Sequence, residues 1–251
     1  MYRVTIRFYE ELNDFLPESM RRRDSQHTFY GRRSVKDLIE SFGVPHTEVD
    51  LILVNGTSVR FTYLVQDGDR ISVYPVFESL DINDVSLLRP RPLRVNRFTC
   101  DVHLPKLARL LRILGLDTLF DPGATRDQLV AQSEAGQRIL LTRDRGLLMR
   151  SDVTRGIVLR RTDPVEQVRE VLDRLDLRDA CAPFSRCTLC NEPVETIHTS
   201  SEAFAEIRDS VPPGVLAWCT EYTRCTACGH LYWKGSHYAK LAGLVGSLLE
   251  G

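Results

Sequence analysis

Residues 97–120 read RFTCDVHLPKLARLLRILGLDTLF, a short apolar run, then a helical pattern, then a second apolar run. In the middle, Leu104, Leu107, Leu111 and Leu114 recur at the spacing that lines one face of a helix. RFTC and DTLF are too short for helices and carry the apolar character of buried strands. The rhythm continues with TRDQLVAQSEAG before RILLT, RDRGLLMRS before GIVLR, and then DPVEQVREVLDRLDL. Strands alternating with helices pack as a parallel sheet with crossover helices. Residues 97–178 are therefore expected to form a central α/β domain, a parallel sheet with flanking helices.

Upstream the periodicity changes. Val4, Ile6 and Phe8 alternate with Arg3, Thr5 and Arg7, the period of a strand with one buried face. A basic stretch with Arg21, Arg22, Arg23, Arg32 and Arg33 leads to SVKDLIESFGV, a helix with Ser34 as N-cap and Gly43 as stop. DLILVNG then ends in an Asn55-Gly56 turn, and RISVYPV follows the turn at Gln66-Asp67-Gly68-Asp69. The order strand, helix, strand, strand predicts an N-terminal β-grasp domain over 1–80. ILVNG and VQDGDRISVYPV resemble the ubiquitin-like sulfur carriers. Those carriers end in a free Gly-Gly, whereas this strand continues through Phe77, Glu78 and Ser79, which argues against carrier chemistry. Residues 81–96, with Arg89, Pro90, Arg91, Pro92 and Arg94, read as a linker.

Downstream stand two Cys-x-x-Cys pairs, Cys187/Cys190 and Cys225/Cys228, in RCTLC and RCTACGH. Two such turns supply the four sulfurs of a structural zinc site, closed to substrate because every tetrahedral position is filled. His230 could replace a thiolate, but four well-spaced cysteines make the all-sulfur set the preferred one. Residues 184–251 are expected to be a zinc-ribbon lobe and a tail, divided by an insertion containing Val211-Pro212-Pro213-Gly214. The chain is thus multi-domain, of mixed α/β and α+β class.

Composition narrows the function. Thirty-three Lys and Arg balance 34 Asp and Glu, so any polyanion site must come from local clustering. Seven cysteines, an odd number with four in ligand spacing, fit a reducing compartment. No apolar run approaches the ~20 residues of a membrane span, and MYRVTIRFYEEL lacks a signal-peptide core. The expected location is cytoplasmic, with no membrane partner.

Carboxylates recur where strands of the parallel sheet should end: Asp101 after RFTC, Asp121 after DTLF, Asp144 after RILLTR and Asp163 after GIVLRRT, with Asp127 opening a helix. Ligand crevices of such sheets lie beyond the strands' carboxyl ends. Carboxylates gathered there need cations, and Mg²⁺ or Mn²⁺ suits oxygen donors. That set points to metal-assisted phosphodiester hydrolysis. Any single Asp can instead be a helix cap, above all Asp121 beside Pro122-Gly123, and Glu134 reads as solvated. Lys106, Arg109 and Arg112 recur every third residue opposite the leucine stripe, a cationic face suited to phosphates or simply to water. In YWKGSHY, Trp233, Lys234 and His237 could stack bases and hold phosphates, or Trp233 could pack on the ribbon.

The ordered strings CDVHLPKLARLLRILGLDT, DQLVAQSEAGQRILLTRDRGLL, DPVEQV, SRCTLCN and CTACGHLYWKGSHY resemble the PIN-like RNase family of the Mut-seven C-terminal domain, with its zinc-ribbon extension, over residues 97–240. The segment in front resembles the ubiquitin-like domain that precedes it in bacterial members. The resemblance implies a PIN-like sheet and a metal-dependent RNase, with acidic positions at Asp101, Asp127 and Asp144, Asp163 as a fourth candidate, and basic positions at Arg112 and Arg145. The expected partner is RNA, with tRNA a reasonable first substrate, plus a protein partner through the β-grasp domain. The competing reading is a non-catalytic RNA-binding or adaptor protein.

Overall fold

The structure, a computed structural model, describes residues 1–75, 86–88 and 96–250. The linker arginines and prolines from Arg89 to Arg94 and the run-on at Phe77–Ser79 lie outside the described residues. In chain order the first segment holds β1 (Tyr2–Phe8), β2 (Ser25–Phe29), α1 (Val35–Ser41), β3 (Val49–Val54), β4 (Thr57–Ser58) and β5 (Arg70–Pro75). The next holds β6 (Arg97–Cys100), α2 (Pro105–Ile113), β7 (Asp117–Phe120), α3 (Arg126–Ala135), β8 (Ile139–Thr142), α4 (Arg145–Leu148), β9 (Gly156–Val158) and α5 (Pro164–Arg174). The last holds β10 (Val194–His198), α6 (Phe204–Ile207), α7 (Pro213–Leu216), β11 (Glu221–Cys225), β12 (Leu231–Trp233) and α8 (Tyr238–Leu249).

The chain divides into two compact units, Met1–Val95 with Ala124–Arg160, and Asn96–Gly123 with Arg161–Gly251. In the first, the N-terminal sheet runs β2-β1-β5-β3-β4, with β1 and β5 parallel and the other pairs antiparallel. Val4, Ile6 and Phe8 face the core at 0–2% exposure, as their alternation requires. Ser34 caps α1 by accepting from Asp37 N at 3.1 Å. Asn55 and Gly56 both take positive φ, +52° and +84°, which a tight turn between β3 and β4 demands. Sequence reading missed two strands, the two-residue β4 and β2: SQHTF has one apolar residue, Phe29, and lies at the edge of the sheet.

The same unit contains α3, β8, α4 and β9, and the β-grasp segment is packed onto them. Glu48 Oε1, buried at 1% exposure, accepts from Val158 N at 2.7 Å. His46 Nε2 stands 2.9 Å from the Val153 carbonyl, while its Nδ1 meets Glu40 at 2.7 Å. Arg160 reaches Asp14 at 2.6 Å and the Glu11 carbonyl at 3.0 Å.

The central strands are all parallel: β6 with β7 in the second unit, β8 with β9 in the first. In the second unit α2 packs against α5. Helix α2 ends at Gly115, whose φ of +83° lets Leu116 N bond the Leu111 carbonyl at 2.9 Å. No side chain fits there, since a Cβ would sit 2.1 Å from the Ala182 carbonyl oxygen. Downstream, β10, β11 and β12 form an antiparallel ribbon sheet in that order. Its core is Ile197, Ile207, Val211, Cys219 and Tyr222, closed over by Phe204, Val215, Leu216, Leu231 and Trp233. Cys219, without a role in the sequence reading, is a core residue here.

Candidate functional site

The two knuckles are built alike. Cys187 N donates to the Glu192 carbonyl at 2.8 Å and Asn191 N to the Cys187 carbonyl at 3.0 Å; Cys225 N and Gly229 N repeat both bonds at 2.9 and 3.2 Å. Each turn needs a left-handed residue after its second cysteine, supplied by Asn191 (φ +75°) and Gly229 (φ +71°). The four sulfurs lie within 4.8 Å of one another, with 3.7 Å between Cys187 and Cys228 and 3.3 Å between Cys190 and Cys225. Tetrahedral Zn–S bonds of about 2.3 Å would separate sulfurs by about 3.8 Å, so the donor set fits a metal. Burial opposes ionisation of Cys187, but hydrogen bonds from the Tyr232 hydroxyl and from the Cys190 and Leu189 amides outweigh it and bring the thiol down to about 6. Among the described residues these cysteines are the one close group of three or more metal-ligating side chains.

Arg112 departs from its expected role. It is only 5% exposed, its Nε donates to the Thr118 carbonyl at 2.9 Å, and its Nη1 donates to the carbonyls of Thr188 and Leu189 at 3.1 and 2.8 Å. Those two carbonyls lie inside the first knuckle, so the guanidinium fixes the metal turn and places positive charge beside its sulfurs. A phosphate backbone cannot reach it. Steps of three residues turn a helix back by about 60° each, so two steps carry the stripe from solvent at Lys106 round to the core at Arg112. Lys106 and Arg109 stay exposed. Arg145 is exposed too, with its guanidinium 5.0 Å over the Phe15 ring.

The aspartates stand as follows. Asp101 directly follows β6, is 5% exposed, and accepts from His103 N at 3.0 Å. Asp144 follows β8 and caps α4, accepting from Gly146 N at 2.9 Å and Leu147 N at 3.3 Å, while Arg126 bonds its other oxygen. Asp127, exposed in the first turn of α3, pairs with Arg150 at 2.5 Å. The start of α3 and the turn at α4 are thereby brought together within the first unit. In the second unit Asp163 caps α5 through Val165 N and Glu166 N at 2.9 and 3.1 Å. Asp121 accepts from Gly123 N at 2.9 Å, the turn role expected of it. Glu134 is not simply solvated: it accepts from Thr154 N and Oγ1, both at 2.9 Å. Cys100, fully buried, has its thiol pushed up by burial and is inert.

Two family models match this chain: the Mut7-C RNAse domain over residues 96–245, and Mut7-C ubiquitin over residues 1–81. The chain belongs to the Mut7-C RNAse domain family. No curated protein and no solved structure matches it. Membership gives it an RNA-directed, nuclease class of function. Among the described residues no helix is long and apolar enough to cross a membrane.

The Mut7-C RNAse domain match takes in the ribbon as well as β6 to α5, and with it a cavity of about 480 Å³ in the second unit that sequence reading only glimpsed. Trp233, Lys234 and His237 line it, as do Arg109, Trp218 and Tyr238. Trp233 serves two ends, covering the ribbon core and walling the cavity. Lys234 pairs with Glu221 at 2.7 Å, and the hydrogen bond holds the carboxyl below and the ammonium above their ordinary ranges. Trp218, 55% exposed, gave no signal in the sequence because no cation neighbours it along the chain.

Proposed function

We propose that the protein is a divalent-metal-dependent ribonuclease of PIN-like type that hydrolyses RNA phosphodiester bonds, with Asp101, Asp127 and Asp144 as the carboxylates that hold the ion and Asp163 as a fourth candidate. One observation carries this reading beyond family membership. Arg126, in the first turn of α3, bonds Asp144 while the adjacent Asp127 bonds Arg150, so two carboxylate–arginine pairs link the start of α3 to the α4 turn. Carboxylate oxygens are the donors Mg²⁺ and Mn²⁺ prefer, and the bound ion supplies an activated water and charge stabilisation. Arg126 would then be released for phosphate oxygens, whereas Arg150 stays held by Asp152 at 2.7 and 3.0 Å.

Zinc is the metal proposed for the four thiolates, with a structural role. The segmentation 1–80, 97–178 and 184–251, a cytoplasmic location, tRNA as a first substrate and a protein partner for the β-grasp face belong to the same proposal. The second reading, a non-catalytic RNA-binding adaptor, draws support from Asp144 and Asp163, which have structural work as caps.

Incubation of the purified protein with tRNA and with total RNA, with and without Mn²⁺, separates the two. Asp144→Asn keeps the size and capping ability of the side chain but removes its charge. It is expected to abolish Mn²⁺-stimulated cleavage while stability changes by less than about 1 kcal/mol, the scale of an exposed ion pair. Full activity in both Asp144→Asn and Asp101→Asn would sink the proposed site and favour the adaptor.

A further inference from the structure

The geometry points to the ribbon cavity as a pocket for one unstacked nucleotide of single-stranded RNA, its base on the aromatic walls and its phosphate at Arg109. This rests on the RNA-directed reading above and adds what that RNA must offer, an unpaired base. The volume, about 480 Å³, falls within the range of small-ligand pockets, about 300–1,000 Å³. Trp218, Trp233 and Tyr238 present large π faces, which accept any base and give affinity without sequence preference. Charge favours an anion. Lys234 and Glu221 cancel as a pair and Arg186 is engaged by Asp117 and the carbonyls of Gly115 and Asn191, leaving the exposed Arg109, for which no ion pair appears among the described residues. Lys234 Nζ also lies 5.8 Å from the Tyr238 ring centroid, so a cation borders the stacking surface. An uncharged apolar peptide would leave that arginine unanswered.

The two tryptophans of the chain are Trp218 and Trp233 and both line the cavity, so tryptophan fluorescence, excited selectively over the eight tyrosines, reports on it. Titrations without added divalent cation would use a short oligoadenylate, an abasic strand of equal length, a blunt RNA duplex and an aromatic-rich peptide. Saturable quenching by the oligoadenylate, with little from the abasic strand or duplex, is expected. Trp218→Ala should weaken oligoadenylate binding roughly ten- to a hundredfold, read by polarisation of a labelled strand. Arg109→Ala should lower the slope of log affinity against log salt by about one. Trp218 is 55% exposed, so its removal should leave melting temperature and metal content unchanged. Equal binding by wild type and Trp218→Ala, equal quenching by the abasic strand, or quenching by the peptide but not RNA would each overturn the pocket. If the wild type cuts no RNA yet the pocket responds, the ribonuclease reading fails alone. Cleavage without a pocket response removes only this inference.

Discussion

Arg109 and Arg112 lie three residues apart on α2, yet one meets solvent and the other is sealed against a metal turn. The leucine stripe was legible in sequence, and so was the cationic character of the helix. Which arginine would turn inward was not, because its partners Thr188 and Leu189 come more than 70 residues later. Arg112→Ala should strand the buried Thr118 carbonyl and leave the part-buried carbonyls of Thr188 and Leu189 without this donor, costing about 1–3 kcal/mol, against less than about 0.5 kcal/mol for Arg109→Ala on the surface. Chemical denaturation of both variants checks this, and comparable stability would return Arg112 to a solvent-facing role. The aspartates carry a similar lesson. Sequence placed Asp101 and Asp144 after strands correctly, but a residue can cap a helix and still present its other oxygen, as Asp144 does to Arg126.

At the level of elements, the knuckles were the plainest part of the text, since CTLCN and CTACG spell out both the ligands and the left-handed residue each turn requires. The three strands around them were harder to see. The strings between residues 191 and 233 are half-exposed, and β10 buries only Ile197, its fourth residue. A sheet so thin cannot stand on apolar burial alone, so metal and fold should be linked. Cys225→Ser should release the metal and unfold β10 to β12, seen as loss of zinc by elemental analysis and of amide protection over residues 187–233. Retention of both would mean that the core around Tyr222 suffices. Strand β2 went unread for a related reason: an edge strand with one apolar residue carries almost no alternation.

For the whole molecule, the β-grasp segment is more than an appended module, because residues 124–160 belong to its compact unit. Sequence gave the segment its fold but not this attachment, which depends on single buried groups such as Glu48. Glu48→Ala should leave the Val158 amide without that acceptor and cost about 1–3 kcal/mol. Deleting residues 1–81 should strip amide protection from β8 and β9, measured by hydrogen exchange. Protection equal to the full chain would make the β-grasp a detachable partner-binding lobe instead. The divided metal site has a consequence in time. Cys190 leaves the ribosome 35 residues ahead of Cys225. At about 5–20 residues per second that is about 2–7 seconds in which a growing chain carries half a site. Its first two thiols are then open to oxidation or to a wrong metal. Completion of the lobe is therefore a race between translation and the redox state of the cell.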